Sequence, residues 1–389
     1  MRIAIFDYRV AAHNPVGGCH LRLLRELAGE HQFTVFAVEF ENPAPDAIEW
    51  VRVPAPTRPL ALLFVVYHLL APVCYLLYRW RRRVEFDRVQ MVESKLSFGD
   101  IAYVHFCHRA YLKHHWRQSK GTGLRSWLRW LDYRLHALLE PVVYRRVSRI
   151  VTPSEGLAAE LKGQYPFTSG RIQVIRNPVD IERLRLPAGF DRDAVRRGWG
   201  VAPSDVVLLF MALGHFERKG LPVLMDAVAR VADPRVRLVV AGGERDLISV
   251  YRARCARLGI AERTFFAGMQ RDVRPYLWGA DAFALPSAYE TFSLVAYEAA
   301  AAGLPLLAGR LHGVEDILRD GENGFLVERN PAQWAAAIRK LLALSPEQRS
   351  AMGGQARRSV QTFGPEHFIE SWRDFYRNEC SLQRAQFAA

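Results

Sequence analysis

The sequence predicts an α/β protein built from two doubly wound domains with parallel sheets. Short apolar runs alternate with helical patterns, the alternation occurs in two series, and a polar stretch with Pro and Gly separates the series. The 389 residues allow two domains, and half of them are hydrophobic while 24% are charged. This balance is typical of a folded enzyme and excludes a disordered, collagen-like or small disulfide-rich protein.

Ten apolar runs are predicted to be strands. The first series is Arg2–Phe6, Phe33–Val38, Val89–Val92, Ile101–Val104 and Arg149–Thr152. The second series is Val206–Ala212, Val236–Ala241, Thr264–Ala267, Ala282–Leu285 and Leu304–Leu307. Helices are predicted between the strands, for example at Leu21–Gly29, Gly220–Val231 and Phe292–Ala302.

The two series set the expected domains. Residues 1–180 form an N-terminal domain, residues 190–364 form a C-terminal domain, and a last helical segment follows at residues 366–386. A linker is expected at about residues 177–203. Ligands of open α/β sheets bind beyond the carboxyl ends of the strands, so two facing sheets predict a cleft between the domains.

The charge is uneven. Residues 79–149 carry +10 of the net +13, which suits a phosphate-rich partner such as nucleic acid, anionic lipid or a charged glycan, or else forms a solvated basic face. The five cysteines include no CxxC pair, so a reducing compartment is expected. The first strand begins at once without a visible signal peptide, which predicts a cytoplasmic protein.

One apolar segment bears on localisation. Pro59–Tyr78 is about twenty residues long and precedes four arginines between positions 79 and 83. His68 and Pro72 interrupt it, and a membrane span here would split the first domain. Buried or surface-docked helices are the favoured interpretation, with interfacial contact to lipid phosphate and a true span as alternatives.

The most informative motif lies at residues 285–305. A strand end, a short turn and a helix starting near Thr291 or Phe292 are predicted, with Glu290 just before the helix and Glu298 two turns into it. Unpaired N–H groups at a helix start suit a diphosphate, and the two carboxylates would lie ~12 Å apart. The plain alternative is that Glu290 caps the helix and Glu298 faces solvent.

A second motif follows the first strand of the second domain. Residues 214–220 read GHFERKG, so Arg218 and Lys219 stand in a turn between strand and helix. Two cations there suit a diphosphate and would neutralise charge on a leaving phosphate, or they are plain surface charges.

Further candidates lie in the first domain. The pair Gly17-Gly18 after the first strand would let the backbone approach a ligand closely, although an ordinary turn fits equally well. His105 and His108 end the strand at 101–104, where a neutral histidine could contact a sugar hydroxyl or be structural. No acidic or Cys partner is evident near them in sequence, so no metal site is expected.

Other patterns argue against rival functions. GxGxxG and GxxxxGK[ST] are absent. The Asp191-Arg-Asp193 pattern precedes a helical stretch and is expected to cap it rather than bind a metal. Trp and Arg alternate over residues 109–147, which suits a membrane interface, and no RNP, KH or zinc-finger signature supports nucleic-acid binding.

Together and in this order, the motifs resemble those of the retaining family 4 glycosyltransferases. The resemblance rests on Gly17-Gly18, a His after a mid-domain strand, RKG, Gly242-Gly243, the run Gly268–Asp272 and Glu-x7-Glu before AxxGLP, and it covers nearly the whole chain. Within the family, the chain start and the RKG form are most similar to bacterial lipopolysaccharide-core glucosyltransferases. The resemblance implies a GT-B fold, in which the final helix at residues 366–386 crosses back to complete the first domain.

The resemblance also implies roles for individual residues. Glu298 would bind ribose hydroxyls, Glu290 the donor sugar, and Arg218 and Lys219 the diphosphate. His105 matches the family's histidine beside the donor sugar, although the VHFCH setting departs from the family pattern and leaves His108 open. The remaining donor-binding candidates are Gly17 and Gly18, which would close over the diphosphate, Gly214, Met269 near the base, Thr291, Phe292, Ser293 and Leu294. His215 stands where many relatives carry Arg, so Arg218 would replace that residue.

The implied reaction is hexose transfer with retention and without a metal, from a nucleotide-sugar donor, expected to be a UDP-sugar. The acceptor is expected to be a glycan or lipid-linked hydroxyl in cell-envelope polysaccharide or lipopolysaccharide synthesis, with peripheral contact at the inner face of the membrane and no nucleic acid. The alternatives are a GT-B-like sugar-nucleotide epimerase or phosphorylase, and a non-catalytic basic membrane or nucleic-acid binder.

Overall fold

A computed structural model describes residues 1–120 and 123–388 of the chain. The chain divides into two compact units. The first comprises Met1–Arg117, Gly121–Pro178 and Pro365–Ala389, and the second comprises Gln118–Lys120 and Val179–Gly364.

The first unit is built on a parallel sheet. Its strands are β1 (Arg2–Phe6), β2 (Arg9–Val10), β3 (Gln32–Ala37), β4 (Glu39–Phe40), β5 (Ile48–Arg52), β6 (Arg88–Val92), β7 (Ile101–Tyr103), β8 (Arg149–Thr152) and β9 (Ile172–Val174). Seven of them pair in the order β5-β3-β1-β6-β7-β8-β9, while β2 and β4 form a separate two-residue ladder. Every residue of β3 after the first is buried, as in strands covered on both faces.

Helices surround this sheet. They are α1 (Pro15–Leu27), α2 (Leu60–Arg82), α3 (His108–His114), α4 (Trp116–Ser119), α5 (Leu124–Arg146) and α6 (Glu155–Gln164), with a 3₁₀ turn at Pro166–Thr168. Helix α1 begins six residues earlier than predicted, because the Asn14 side chain accepts hydrogen bonds from the amides of Val16 and Gly17. Gly17 and Gly18 therefore lie in the first turn of the helix and not in the turn before it.

Helix α2 runs unbroken through His68 and Pro72, the two residues that interrupt its apolar sequence. Phe64, Tyr67 and Tyr75 are buried on either side of the proline, and their packing maintains the helix despite the hydrogen bond that proline cannot donate. Among the described residues, α2 is the one helix with the length and hydropathy to cross a membrane, and a third of its most apolar window is buried within the protein.

The second unit contains a six-stranded parallel sheet in the order β12-β11-β10-β13-β14-β15. Its strands are β10 (Val206–Met211), β11 (Val236–Ala241), β12 (Thr264–Gly268), β13 (Ala282–Leu285), β14 (Leu306–Ala308) and β15 (Gly324–Leu326). The central strand β10 is VVLLFM and is buried at all six positions. Apolar clusters cover both faces of this sheet.

The helices of the second unit follow the predicted alternation. They are α7 (Arg192–Gly198), α8 (Phe216–Lys219), α9 (Leu221–Val231), α10 (Arg245–Arg257), α11 (Arg274–Gly279), α12 (Leu294–Ala301), α13 (Val314–Ile317), α14 (Pro331–Ala343) and α15 (Pro346–Ser359), with 3₁₀ turns at Ala261–Arg263 and Gln361–Phe363. Asp191 caps α7 through the amide of Ala194, so the predicted capping role is confirmed. Helix α7 lies inside the linker predicted at about residues 177–203. Its buried Arg196 forms an ion pair with Asp281 at 3.0 Å, so this part of the predicted linker packs against the second unit.

The last helix, α16 (Pro365–Ala388), belongs to the first unit. Its Tyr376 hydroxyl donates to Gln90 of β6 at 2.8 Å, and the Glu379 carboxylate pairs with Arg88 and Arg149. The prediction that the C-terminal helix returns to the first domain is therefore confirmed.

Candidate active site

Two loops of the second unit are joined at the carboxyl ends of β10 and β13. The carbonyl oxygen of Arg218 accepts hydrogen bonds from the amide of Ala288 at 2.8 Å and the hydroxyl of Ser287 at 3.2 Å. Gly220 has φ +82, and a Cβ there would lie 2.0 Å from the carbonyl oxygen of Pro286. The RKG turn requires its glycine because it packs directly on the loop that carries Glu290.

This packing brings Lys219 and Glu290 together, although 71 positions separate them. Lys219 Nζ donates to Glu290 Oε1 at 2.7 Å, and the two side chains are 17% and 8% exposed. Burial lowers the pKa of Lys219, while the charge of Glu290 opposes the shift. In this structure Lys219 is an ion-pair partner, whereas sequence reasoning treated it only as a cation for a phosphate.

The helix that follows begins later than predicted. Helix α12 starts at Leu294, because Ser293 adopts a left-handed conformation with φ +65 and turns the chain just before it. Glu290 is thus four residues before the helix, and Glu298 is its fifth residue. The predicted ~12 Å helical spacing of the two carboxylates does not apply, since residues 291–293 between them are not helical.

Residues 291–294 line the start of α12. Phe292 is buried and its ring stacks on Tyr297 at 4.1 Å, so its side chain is part of the core and only its backbone is available to a ligand. Ser293 Oγ is buried and has no hydrogen-bond partner among the described residues. The hydroxyl and the free amides of the first turn are suited to binding an anion.

Glu298 lies one turn into α12 and is partly buried. Burial raises the pKa of its carboxyl to about 7, with the charge of Arg183 opposing the shift. A carboxyl group whose pKa lies near 7, on a mostly apolar helix, is a candidate ligand-binding group. Hydroxyl groups of a ligand would donate hydrogen bonds to its ionised form and stabilise that form.

The remaining candidates of the second unit lie on loops after strands. Gly214 has open space where a Cβ would point. Met269 follows β12, is 52% exposed and lines a groove of 730 Å³ together with Arg271, Trp199 and Tyr276. Such an open groove with aromatic walls can accommodate a flat ring.

In the first unit, Gly17 has a packing reason to be glycine. A Cβ on Gly17 would lie 2.8 Å from the backbone nitrogen and oxygen of Ala11, whereas Gly18 has more room. Close backbone approach is therefore used within the protein at Gly17.

His105 is buried just beyond β7, and its Nε2 has no hydrogen-bond partner among the described residues. Burial, together with the nearby charges of His20 and Lys95, lowers the pKa of His105 to about 3, so the ring is neutral at physiological pH. A neutral imidazole with a free nitrogen can donate a hydrogen bond to a hydroxyl group or accept one from it, depending on its tautomer.

Sequence reasoning missed the charged groups around His105. Asp7 is buried, forms an ion pair with Lys95 at 2.7 Å and lies 3.5 Å from His20. Burial alone would raise the pKa of Asp7, but the Lys95 charge and the His20 hydrogen bond lower it to about 2. Asp7 follows β1 and Lys95 follows β6, so polar residues directly after neighbouring strands were the signal available in the sequence.

His108 has different surroundings. Its Nδ1 lies 2.9 Å from Glu140 Oε1, and the same carboxylate accepts from the backbone amides of His108 and Arg109 and from the hydroxyl of Tyr165. His108 is thus fixed by Glu140, a partner 32 positions away that was not anticipated.

Comparison with known proteins agrees with this architecture. Residues 20–183 match the family described as Glycosyltransferase Family 4, and residues 205–344 match the family described as Glycosyl transferases group 1. The two matches fall one in each compact unit apart from a few residues at the junction.

Individual relatives support the same grouping. The chain is 34% identical over 252 residues to the D-inositol 3-phosphate glycosyltransferase of Geodermatophilus obscurus, covering 61% of this chain and 54% of the relative. It is 37% identical over 152 residues to the lipopolysaccharide core biosynthesis glycosyltransferase LpsE of Rhizobium meliloti, covering 39% and 44%. The chain spans about half the length of these curated relatives.

Solved structures show the fold. WaaG, a glycosyltransferase involved in lipopolysaccharide biosynthesis, superimposes with a TM-score of 0.77 at 20% identity over 96% of this chain and 99% of WaaG. HepE of Anabaena, solved with UDP and glucose, gives 0.73 at 18% identity over 97% and 100%. The fold is the GT-B fold, with two parallel-sheet α/β domains. The chain belongs to the family 4 glycosyltransferases of this fold.

Proposed function

We propose that the protein is a retaining glycosyltransferase that transfers a hexose from a nucleotide-diphosphate sugar to a hydroxyl group of a glycan or lipid-linked acceptor, without a metal. The observation that carries the proposal is the Lys219–Glu290 pair at 2.7 Å, whose carboxylate lies on the same loop as the unpartnered hydroxyl of Ser293. The two loops that this pair connects thus carry a cation that can bind phosphate, a carboxylate that can bind sugar hydroxyls, and the free backbone amides at the start of α12. The relatives' names support glycosyl transfer, and the UDP-bound state of HepE supports a nucleotide-sugar donor.

The donor would be held by several groups. Arg218, Lys219 and the amides at Ser293 and Leu294 would bind the diphosphate, and Glu290 would bind hydroxyls of the sugar. Glu298 would bind the ribose, and Met269 would lie near the base. The neutral His105 of the first unit is assigned to the sugar, in keeping with its free Nε2.

The chemistry is a substitution at the anomeric carbon. The bond from that carbon to the diphosphate oxygen breaks, the acceptor oxygen bonds on the same face, and the acceptor proton passes to the leaving phosphate. The protein contributes positioning and cationic groups, which stabilise charge on the leaving diphosphate without any covalent intermediate.

The surface of the first unit supports the further proposal of a membrane-borne acceptor. The exposed row Leu62, Val65, Leu69, Val73 and Leu76 runs along α2, and arginines close the helix at residues 79–83. An apolar face beside cations suits a helix lying in the interface of an anionic membrane. This surface supports the proposal that the protein contacts the inner face of the cell membrane.

A panel of UDP-, GDP-, ADP- and dTDP-sugars tests the proposal by thermal shift and donor hydrolysis, with and without EDTA. One nucleotide is expected to raise the Tm by the same increment in both conditions. The readout is the nucleotide-dependent increment, so any change that EDTA causes in the free protein does not count. No shift with any nucleotide would overturn the proposal, and turnover that depends on inorganic phosphate would indicate a phosphorylase.

A further inference from the structure

A group of polar side chains lies at the carboxyl ends of two central strands in the first unit. Strand β1 pairs with β3 on one side and with β6 on the other, so the strand order reverses direction between β1 and β6. Ligands of open α/β sheets bind beyond the strand ends at such a switch point. Tyr8 lies two residues after β1, Glu93 and Lys95 follow β6, and Asp132 and His136 lie on α5, which packs close enough to place the His136 and Tyr8 rings 6.3 Å apart.

Two carboxylates of this group have no hydrogen-bond donor. Asp132 is 5% exposed, and its Oδ1 lies 4.0 Å from His136 Nε2, beyond hydrogen-bond distance. Glu93 is partly exposed, and one of its carboxylate oxygens lies within 4.8 Å of ring nitrogens of His108 and His136. Neither carboxylate accepts a hydrogen bond from any residue that the structure describes. Burying a carboxylate without donors is costly, so a ligand that supplies donors would be bound here.

The neighbouring basic side chains are already paired. Lys95 Nζ donates to Asp7 Oδ1 at 2.7 Å, and His108 Nδ1 lies 2.9 Å from Glu140 Oε1. These pairs leave the two carboxylates as excess negative charge at this point, although residues 79–149 carry +10 overall. A phosphate or carboxylate group of a ligand would therefore be repelled here.

Two further features are typical of a binding site. The hydroxyl of Tyr8 is buried, and it has no hydrogen-bond partner within residues 1–120 and 123–388. Burial and the nearby charge of Asp132 raise the pKa of Tyr8 well above its usual range, so the hydroxyl stays protonated. Glu93 adopts a left-handed backbone with φ +55, a conformation that is costly for a residue other than glycine and that clusters at functional sites.

The chemistry of these groups selects the kind of ligand. The ammonium group of Lys95 has three N–H donors, of which Asp7 uses one, and its Nζ lies 4.8 Å from the centre of the Tyr8 ring. A ligand that satisfies the group accepts a hydrogen bond from Lys95 and donates to a carboxylate. Hydroxyl groups do both, whereas an ionised phosphate accepts and an ammonium group donates. Several hydroxyl groups on one ring are characteristic of a sugar.

We propose that Glu93 and Asp132 bind hydroxyl groups of an uncharged sugar in the acceptor, with Lys95 donating to the same sugar. Besides burial, the nearby charges of His20 and Lys95 lower the pKa of His105, so the site lies close to the histidine assigned to the donor sugar. The inference rests on the proposed function and narrows its acceptor. The part of the acceptor held at this point carries hydroxyl groups and neither phosphate nor carboxylate.

The test measures sugar binding to the purified full-length protein by saturation-transfer NMR, with titration to obtain the affinity. The probes are the methyl glycosides of glucose, galactose and mannose, each with its 6-phosphate, together with methyl glucosaminide. At least one neutral glycoside is expected to bind, and its 6-phosphate should bind at least ~10-fold more weakly because of charge repulsion. Binding of no neutral glycoside, or tighter binding of the phosphate or of methyl glucosaminide, would overturn the proposal. Donor binding is measured separately by the nucleotide-dependent rise in Tm, so failure of the proposed function is distinguished from failure of this site.

Two variants decide whether the carboxylates bind the sugar. Asp132→Asn and Glu93→Gln keep the shape of each side chain and remove its charge. Each should weaken binding of the neutral glycoside at least ~5-fold, since hydrogen bonds to a charged acceptor are stronger, and each should strengthen binding of the 6-phosphate. Loosened packing alone would not change the two affinities in opposite directions.

The control is Glu26→Gln, at an exposed carboxylate of α1, which should change neither affinity. Wild-type affinities for both ligands in the folded variants would overturn the proposal. If Asp132→Asn does not fold, Glu93→Gln decides the question, because Glu93 is partly exposed.

Discussion

Lys219 and Glu290 form an ion pair with 2.7 Å between Nζ and Oε1, and both side chains are mostly buried. The pair depends on the hydrogen bonds between the carbonyl of Arg218 and the loop at Ser287 and Ala288. Burying a charge without a partner is costly, and the Glu290 carboxylate stabilises the charged form of the buried Lys219 against the lowering of its pKa by burial. The free protein thus holds a cation and a carboxylate in place before any ligand arrives, which reduces the cost of ordering them on binding.

Replacing Lys219 tests its role in transfer. Lys219→Ala removes the cation that would neutralise charge on the leaving diphosphate, and we expect turnover to fall at least ~10²-fold. The measurement is the initial rate of donor consumption at saturating donor. Lys340→Ala is the matched control, because Lys340 is exposed on α14 of the same unit, and it should keep the wild-type rate. Near-normal turnover of Lys219→Ala would contradict the assigned role.

Gly220 is expected to be intolerant of a side chain. In Gly220→Ala the new Cβ would lie 2.0 Å from the Pro286 oxygen on a backbone with φ +82. We expect the free energy of unfolding to fall by about 3 kcal/mol, measured by urea denaturation. Gly259→Ala is the control, because it also has a positive φ of +68 but nothing within 4 Å, so it should cost only about 1 kcal/mol. Equal losses would show that contact with Pro286 is unimportant.

Glu298 should make stability depend on pH. Its pKa is about 7 in the folded protein against a usual 4.5, so between these values the folded state binds the proton more tightly. This contribution to stability is complete below pH 4.5 and is lost as the pH rises through 7. Glu298→Gln, which cannot ionise, should gain about 1–2 kcal/mol relative to wild type on going from pH 4 to pH 8, the figure being reduced for partial exposure. Urea denaturation at both pH values measures this, and a difference independent of pH would refute it.

The central strands could be predicted from the sequence because burial on both faces leaves a continuous apolar run. Four predicted strands, including Val236–Ala241 in β11, have the observed bounds, and the others agree within two residues. The edge strands β5, β9 and β15 were missed. They are short or partly exposed, and β5 (IEWVR) is buried only at its first residue and carries two charged residues, so they lack the signal of a buried run.

The motifs located the loops of the candidate site but not the geometry within them. The left-handed turn at Ser293, which moves the helix start to Leu294, has no sequence signal because serine rarely adopts that conformation. Pairs such as Lys219–Glu290 and His108–Glu140 join residues 71 and 32 positions apart. Only the packing of separate elements brings them together.

The outer face of α2 leads to a prediction about membranes. Leu69 and Leu76 are 66% and 59% exposed on the side of the helix away from the core, so replacing them should not disturb packing. In flotation with anionic vesicles at low salt, we expect the wild-type chain to bind and the double variant Leu69→Glu/Leu76→Glu to bind at least ~10-fold more weakly, since it loses apolar insertion and gains repulsion. Val250→Glu, at a 63% exposed position of α10 in the second unit, is the control and should bind like wild type. Failure of the wild-type chain to float, or equal binding by the double variant, would remove α2 as the membrane contact and leave the arginines at 79–83 as a solvated basic surface.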